Sequence, residues 1–283
     1  MGGFLDALGE KLADRWVALL VVPGALYCAA VAAAAVLGQA HAFDAGLLES
    51  KVEQWIRTPS AATTGAMVVL AAAILAAAST AGIAARGLGY VTELLVFAAD
   101  WPDWPAPLRA VARRNTDRRR TRWAAADAVY QERRLEAARA RAESLRVDPA
   151  ARDAAYRRRT RIAELPPARP TWSGDRIHAV ETRLRTELSV DLARDWPSVW
   201  LAAPEPVRTD VAAAHGAITR ACVLGGWAVL YAVLAAWWIP ALLIAFAVGI
   251  AAWSRIRSAV DAYARLVEAA VRLRAEPAAG APD

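Results

Sequence analysis

Three carboxylates are the best candidates for acid–base chemistry in this chain. Glu187, Asp191 and Asp195 recur every fourth residue, so a continuous helix would align them on one face. Ser189 lies between them and favours a new helix start, which would break the alignment. Arg183 is close enough in sequence to pair with them. The favoured interpretation is therefore a salt-bridged helix surface and not a catalytic pair.

The other reactive residues do not form a recognised catalytic or metal-binding motif. The sequence has no HExxH, CxxC or GxSxG pattern and no phosphate-loop lysine. Cys28 and Cys222 both fall in apolar stretches, where small packing roles are expected. His178 and His215 lie far apart with no third ligand at metal spacing. We therefore predict no enzymatic activity, no cofactor and no metal site.

His215 is the more interesting histidine because it stands beside Gly216, just before a long uncharged stretch. A histidine in that place could line a pore mouth or sense pH. A hydrogen-bonded side chain at the membrane interface is the favoured alternative.

A dense group of arginines is the strongest charge feature of the chain. Segment 86–216 has 24 arginines and 18 acidic residues, which accounts for the whole net charge of +6. Such a group can contact anionic lipid headgroups or a protein partner, or can be a solvated helix face with internal ion pairs. Nucleic-acid binding is not expected, because no nucleic-acid motif accompanies the charge. The group comprises Arg113, Arg114, Arg118, Arg119, Arg120 and Arg122.

The tripeptide Asp-Trp-Pro occurs three times. Proline disfavours helix in the residue before it, and tryptophan prefers the membrane–water interface. We predict that each copy ends a helix where a cytoplasmic region meets the bilayer, and an aromatic ligand cage is the less favoured reading. The residues of this interfacial element are Trp101, Trp104, Trp196, Pro197 and Trp200.

Three uncharged apolar runs must position these residues: 16–37, 58–85 and 221–254. A span needs roughly 20 apolar residues, so the runs predict a membrane protein. The third run is too long for one span and contains Pro240 after two tryptophans. It predicts a helical hairpin, with a re-entrant hairpin and one kinked helix as the alternatives.

The arginines flanking the runs favour cytoplasmic termini and a cytoplasmic central segment. Small residues in the second run predict close helix packing or oligomerisation: Gly65, Ala72, Ala76, Ser79, Ala81, Gly82 and Ala85. The predicted organisation is a cytoplasmic amphipathic helix (1–15), membrane helix 1 (16–38), an extracytoplasmic linker (39–62), membrane helix 2 (63–86), a cytoplasmic helical region (87–216), a membrane hairpin (217–254), and a cytoplasmic helix and tail (255–283).

The clearest local pattern begins at Pro170 with PTWSGDRIHAVE and continues with Val190-Asp191, Trp196-Pro197-Ser198-Val199-Trp200, Pro204 and Arg208. It resembles a pattern of uncharacterised bacterial multi-pass membrane proteins, in which PTxxG[ND]x[IL]xAxE precedes YG[IL]D and WPRLW elements before a membrane hairpin. The chain departs from it at Leu188-Ser189, in place of Tyr-Gly, and at Ser198, in place of Arg. The resemblance implies location and architecture, and carries no activity.

The sequence thus predicts an all-α polytopic protein of the bacterial inner membrane, with four membrane helices (2 + 2) and both termini cytoplasmic. The expected function is a non-enzymatic scaffold or sensor whose cytoplasmic helices bind a protein partner or self-associate. An oligomeric channel or membrane-perturbing effector gated by the cytoplasmic region is the alternative. A homo-oligomer in contact with anionic lipid is expected in either case.

Overall fold

The computed structural model describes residues 22–57, 64–144 and 149–279. This part of the chain is all-α and contains no strand. Its nine α-helices are α1 Val22–Leu37, α2 Ala45–Ile56, α3 Thr64–Phe97, α4 Ala106–Ala142, α5 Ala150–Ile162, α6 Trp172–Leu188, α7 Leu192–Ala202, α8 Glu205–Leu234 and α9 Pro240–Ala279. The amphipathic helix predicted at 1–15 and the start of the first apolar run lie outside the described residues.

Three of these helices, α3, α8 and α9, are long and apolar enough to cross a membrane. The described part of the first apolar run is α1, an apolar helix of 16 residues. Large apolar side chains are exposed along all of them, including Val69 on α3 and Phe246 on α9. Apolar side chains facing outward over whole helices suit a lipid solvent, so the chain is a multi-pass membrane protein.

The chain forms two compact units. Unit 1 comprises Met1–Thr92 and Thr219–Ser254, and unit 2 comprises Glu93–Ile218 and Arg255–Asp283. Helices α3, α8 and α9 each supply residues to both units.

Within unit 1, α8 and α9 form an antiparallel hairpin. Helix α8 ends at Leu234 and α9 begins at Pro240, as the proline and its tryptophans predict. Tyr231 and Leu234 share an apolar cluster with Ala241 and Ala245. A single kinked helix over 221–254 is therefore wrong.

The turn of this hairpin lies beside the end of α1. Gln39, just after α1, donates to the carbonyls of Ala235 and Ala236 at 3.3 and 3.0 Å. Its side-chain oxygen accepts from the Ile239 amide at 3.1 Å. The Trp238 indole donates to the Ala42 carbonyl at 2.9 Å, so the turn and the α1–α2 connection occupy the same end of unit 1.

Small residues on α3 allow its neighbours to approach closely. The buried positions Ala78, Gly82, Ala85 and Gly89 repeat at intervals of four, three and four residues, which is one helix face. A methyl group on Gly89 would lie 2.8 Å from the Val223 Cα atom of α8. Of the small residues singled out in the sequence, Gly82 and Ala85 lie on this buried face, whereas Gly65, Ala72 and Ala76 are exposed.

Unit 2 contains a second hairpin, built from α4 and α5. Arg159 of α5 donates to the Asp127 carboxylate at 2.9 Å. Its guanidinium also lies 4.8 Å from the Tyr130 ring centroid, 5.4 Å from that of Tyr156 and 5.8 Å from that of Trp123. The cation–π contacts from Arg159 to the α4 rings of Trp123 and Tyr130 hold the two helices together. Helix α5 begins at Ala150, one residue after Pro149.

Residues flanking α6 and α7 determine where these two helices begin and where α6 ends. Thr171 caps α6, and its hydroxyl accepts from the Gly174 amide at 3.0 Å. Ser189 ends that helix with a left-handed φ of 56°. Asp191 caps α7, and accepts from the Ala193 amide at 3.0 Å.

The prediction that every Trp-Pro ends a helix is wrong at Pro197, which lies inside α7. Proline removes one backbone hydrogen bond there, and the packing of Val199 and Trp196 into the core of unit 2 offsets that loss. The first two copies lie between α3, which ends at Phe97, and α4, which begins at Ala106, and Trp101–Asp103 form a short 3-10 helix there.

We expect Gly226→Ala to lower the free energy of unfolding by about 1–3 kcal/mol, because the new methyl group would overlap the Ala85 carbonyl of α3. The measurement is thermal unfolding of the purified chain in mild detergent. Gly87→Ala is the matched control, since a methyl group there meets open space. Equal midpoints for the two variants would contradict the close α3–α8 contact.

Candidate functional site: an arginine-rich polar network

The polar network of unit 2 is organised around the first turn of α6. The Thr171 hydroxyl donates to the Val96 carbonyl near the end of α3. Gly174 lies so close to the Phe97 carbonyl that a side chain at this position would overlap the carbonyl oxygen. The α6 N-terminus is thus fixed against the C-terminal end of α3.

Asp175 is the acceptor at the centre of this network. Its Oδ1 accepts from the backbone amides of Ala168 and Arg169 at 2.9 and 2.8 Å. Its Oδ2 accepts from Arg119 Nη2 at 2.6 Å. The residue is only 6% exposed, and these three bonds compensate the loss of water around its charge.

The predicted arginine group divides between two environments. Arg119 turns inward, and Nη2 also donates to the Ile162 carbonyl at 3.0 Å. Arg120 donates to the Pro167 carbonyl at 2.8 Å. Arg119 joins α4 to the end of α5 and to α6, and Arg120 joins α4 to the segment before α6. Arg120 is itself exposed, as are the remaining members on α4: Arg113, Arg114, Arg118 and Arg122.

A ladder of ion pairs joins α6 to α9. Arg176 donates to Asp261 at 2.8 Å, and Arg183 donates to Glu268 at 3.0 Å. In each case the partners are 85 residues apart, so the two helices run parallel in fixed register. Arg176 and Arg183 also share Glu164, at 3.3 and 2.9 Å.

The next ion pair along the ladder has the same offset of 85 residues, but here the arginine is on α9 and the carboxylate is on α6. Arg272 of α9 donates to Glu187 of α6 at 2.6 Å. The apolar seam beside the ladder includes Val180 and Leu184, which cluster with Ala264 and Val271. Ladder positions on α6 repeat at seven and then four residues, the spacing of a helix-pairing face.

The three candidate carboxylates do not form a catalytic group. Ser189 breaks the helix between them, as the sequence suggests. Glu187 pairs with Arg272, Asp191 caps α7, and Asp195 accepts from the Asp191 amide at 2.9 Å. Each carboxylate has a structural partner.

The tryptophans of the Asp-Trp-Pro copies have packing and hydrogen-bonding roles within unit 2. Trp101 donates to the Ala168 carbonyl at 3.2 Å. Trp104 is half-buried. The rings of Trp196 and Trp200 lie 5.9 Å apart on α7, and Trp196 packs against the seam between α6 and α9.

His215 is exposed on α8, with its ring centroid 5.8 Å from that of Tyr263 on α9. The structure therefore places the histidine in an aromatic contact between two helices. Among residues 22–57, 64–144 and 149–279, no three His, Cys, Asp or Glu side chains group as metal ligands.

Arg257 and Trp172 were not singled out by the sequence, but they meet in unit 2. The Arg257 guanidinium lies 4.2 Å from the Trp172 ring centroid. Burial, and then repulsion from Arg119 and Arg161, lowers the pKa of Arg257 from its ordinary value. A tryptophan followed 85 residues later by an arginine gave no local signal of this contact.

The pattern that begins at Pro170 has a structural explanation at each of its main positions. The Pro170 carbonyl accepts from Asn115 at 2.7 Å. Thr171 caps α6, and Gly174 allows its close approach to α3. Ala179 is buried, and Glu181 accepts from Arg169 at 2.7 Å. These residues build unit 2.

Comparison of the chain with protein-family models, with curated proteins and with solved structures gave no match.

We expect Arg176→Gln to lower the free energy of unfolding by about 2–3 kcal/mol, because Asp261 then keeps only the exposed Arg265 as a charged partner and Glu164 keeps only the partly exposed Arg183. Urea or thermal unfolding of the full chain measures the loss. Arg265→Gln is the control, since its ion pair with Asp261 is 68% exposed on the arginine side and contributes about 0.5 kcal/mol or less. Equal losses would mean that the ladder is not a buried constraint.

Proposed function

We propose that this chain is a non-enzymatic membrane scaffold or sensor of the bacterial inner membrane, whose cytoplasmic helices self-associate or bind a partner protein. One observation carries the proposal. Helix α9 supplies both the apolar segment 240–254 and the ladder residues Asp261 and Glu268. A binding event that shifts α6 along the ladder therefore acts directly on a helix with a membrane segment, which suits a sensor or an anchored scaffold.

The use of charge in unit 2 supports a binding role over catalysis. The buried charged residues Asp175 and Arg176 are held by structural partners at 2.6 to 3.3 Å. Charged groups fixed in this way stiffen a helical framework. The framework presents exposed apolar side chains on the α4–α5 hairpin, including Val129, Leu135 and Tyr156.

The membrane topology that we propose has four segments and cytoplasmic termini. The 16 described residues of α1 give about 24 Å of helix, and the uncharged residues before them extend the run. The Gln39 contacts set the α8–α9 turn at the level where α1 ends. A hairpin whose turn reaches that level crosses the bilayer as far as α1 does, which favours a full hairpin over a re-entrant one.

One exposed stripe of α4 supports contact with anionic lipid. Leu108, Val111, Arg118 and Arg122 fall within about 80° of one another at 100° per residue. Apolar side chains followed by arginines on one face are typical of helices at a membrane interface, where each basic residue contributes about 1 kcal/mol.

Cysteine labelling tests the topology. In a chain with Cys28 and Cys222 replaced by alanine, we expect Ala236→Cys in the hairpin turn to react with a membrane-impermeant maleimide added to intact cells. We expect Ala279→Cys to react only after the cells are opened. Labelling of Ala279→Cys from outside, or protection of Ala236→Cys, would contradict the full hairpin with a cytoplasmic C-terminus.

Native mass spectrometry in mild detergent tests self-association. We expect an oligomer, and we expect Leu135→Glu to reduce its mass because the substitution places a charge on the exposed apolar face of the α4–α5 hairpin. Leu273→Glu on α9 is the control, with a similar exposure of 54% against 56%. A monomeric wild-type chain would argue against self-association.

Liposome conductance separates this proposal from an oligomeric channel. The Tyr27 hydroxyl donates to the Leu230 carbonyl at 3.4 Å, and Thr80 donates to Ala76 at 2.9 Å. These polar groups bond within unit 1, so we expect conductance equal to that of empty liposomes. A reproducible conductance would favour the channel.

A further inference from the structure

The start of α2 is fixed at the turn of the α8–α9 hairpin, within unit 1. Gly38 follows α1 with a left-handed φ of 55°, which ends that helix. The Trp238 indole of the hairpin turn donates to the Ala42 carbonyl at 2.9 Å. Asp44 then caps α2, where its Oδ1 accepts from the Leu47 amide at 2.9 Å. Helix α2 therefore begins at the end of unit 1 where the apolar helices α1 and α8 also end.

Large apolar side chains are exposed at this same end of unit 1. Phe43 follows Ala42 and is 76% exposed. Trp237 precedes Trp238 and is 63% exposed. Tryptophan is enriched where a membrane meets water, so an exposed indole in the turn between two apolar helices marks the headgroup level. The start of α2 lies at that level too, because Trp238 holds it there.

Helix α2 has an apolar face and a polar face. Leu47, Leu48 and Val52 fall within about 140° of one another at 100° per residue. The first two are half-buried and Val52 is 48% exposed, so unit 1 covers only part of the apolar face. The polar side chains on the opposite side are Glu49, Ser50 and Glu53.

One charged residue falls within the apolar face. Lys51 lies between Leu47 and Leu48 around the helix and is exposed. A lysine stem can lie along apolar groups while its ammonium group reaches polar surroundings. A lipid interface offers both layers, because acyl chains lie directly beneath the headgroups.

The length and position of α2 indicate what covers the rest of its apolar face. Its 12 residues give about 18 Å of helix, too short to cross a bilayer. The chain leaves the apolar helix α1 before α2, and the apolar helix α3 begins at Thr64, eight residues after α2 ends. A helix along the membrane surface buries Val52 in acyl chains, whereas a helix pointing into water leaves it exposed. The hydrophobic effect favours the first arrangement.

We propose that α2, together with Phe43 and Trp237, binds the lipid–water interface, with its apolar face on the acyl chains and its polar face in water. The partner on this surface is lipid. The inference goes beyond the proposed scaffold or sensor function and does not depend on it. It also holds for either orientation of the chain in the membrane.

Electron paramagnetic resonance of the spin-labelled full chain tests this placement. The chain has Cys28 and Cys222 replaced by alanine, carries a nitroxide at Val52→Cys or at Ser50→Cys, and is reconstituted in vesicles of phosphatidylcholine and phosphatidylglycerol. Power saturation compares collisions of each label with oxygen, which concentrates among acyl chains, and with a water-soluble nickel chelate. Ser50 is the matched control, because it is also exposed and lies about 160° around α2 from Val52.

We expect the ratio of oxygen to nickel collisions to be higher at position 52 than at position 50. The ratio should place the label at position 52 about 5–10 Å below the headgroup boundary, the depth of interfacial helices, and the label at position 50 in water. Phe43→Cys is a second apolar probe and should also report lipid. All three native side chains are exposed, so the labels replace no buried group.

Two results would overturn the proposal. Equal ratios at positions 52 and 50 would mean that α2 lies in water, even if the label at position 43 reports lipid. Few collisions with both reagents at position 52 would mean that protein covers the apolar face, and dipolar broadening between labels would then identify a second copy of the chain.

Discussion

The parallel register of α6 and α9 is the constraint on which unit 2 depends. Arg176 and Arg183 reach Asp261 and Glu268 across the same offset of 85 residues, and the apolar seam beside them is buried. Because the ladder fixes both helices along their length, it also fixes the first turn of α6. The Asp175 network, the arginines of α4 and the stacked Trp172 all take their positions from that turn.

The sequence predicted most of what depends on local chemistry. Pro240 after two tryptophans marked the hairpin turn, and Ser189 marked the break between α6 and α7. It failed where packing decides. Pro197 stays inside α7 because that helix is buried against the α6–α9 seam, and alanine-rich α3 gave no sign of which small residues face α8. Ala76 and Ala78 differ only in their position around the helix, yet Ala78 is fully buried and Ala76 is exposed.

The arginine group shows the same limit at the candidate site. Arg118 and Arg119 are neighbours and are chemically identical, but 100° of helix rotation separates an exposed side chain from one bonded to Asp175. Sequence composition could predict that the segment contacts anions or pairs with acids. It could not assign those roles to particular arginines, because the partners Asp175 and Ile162 are 56 and 43 residues away.

The offset of 85 residues also has a consequence for biosynthesis. The apolar face of α6, with Val180 and Leu184, leaves the ribosome before the part of α9 that covers it. At roughly 5–20 residues per second, the delay is about 4–17 s. During that interval Arg176 lacks Asp261, and the membrane segments of α8 and the start of α9 are synthesised. Completion of unit 2 therefore follows synthesis of the α8–α9 hairpin, which couples the order of insertion to the order of folding.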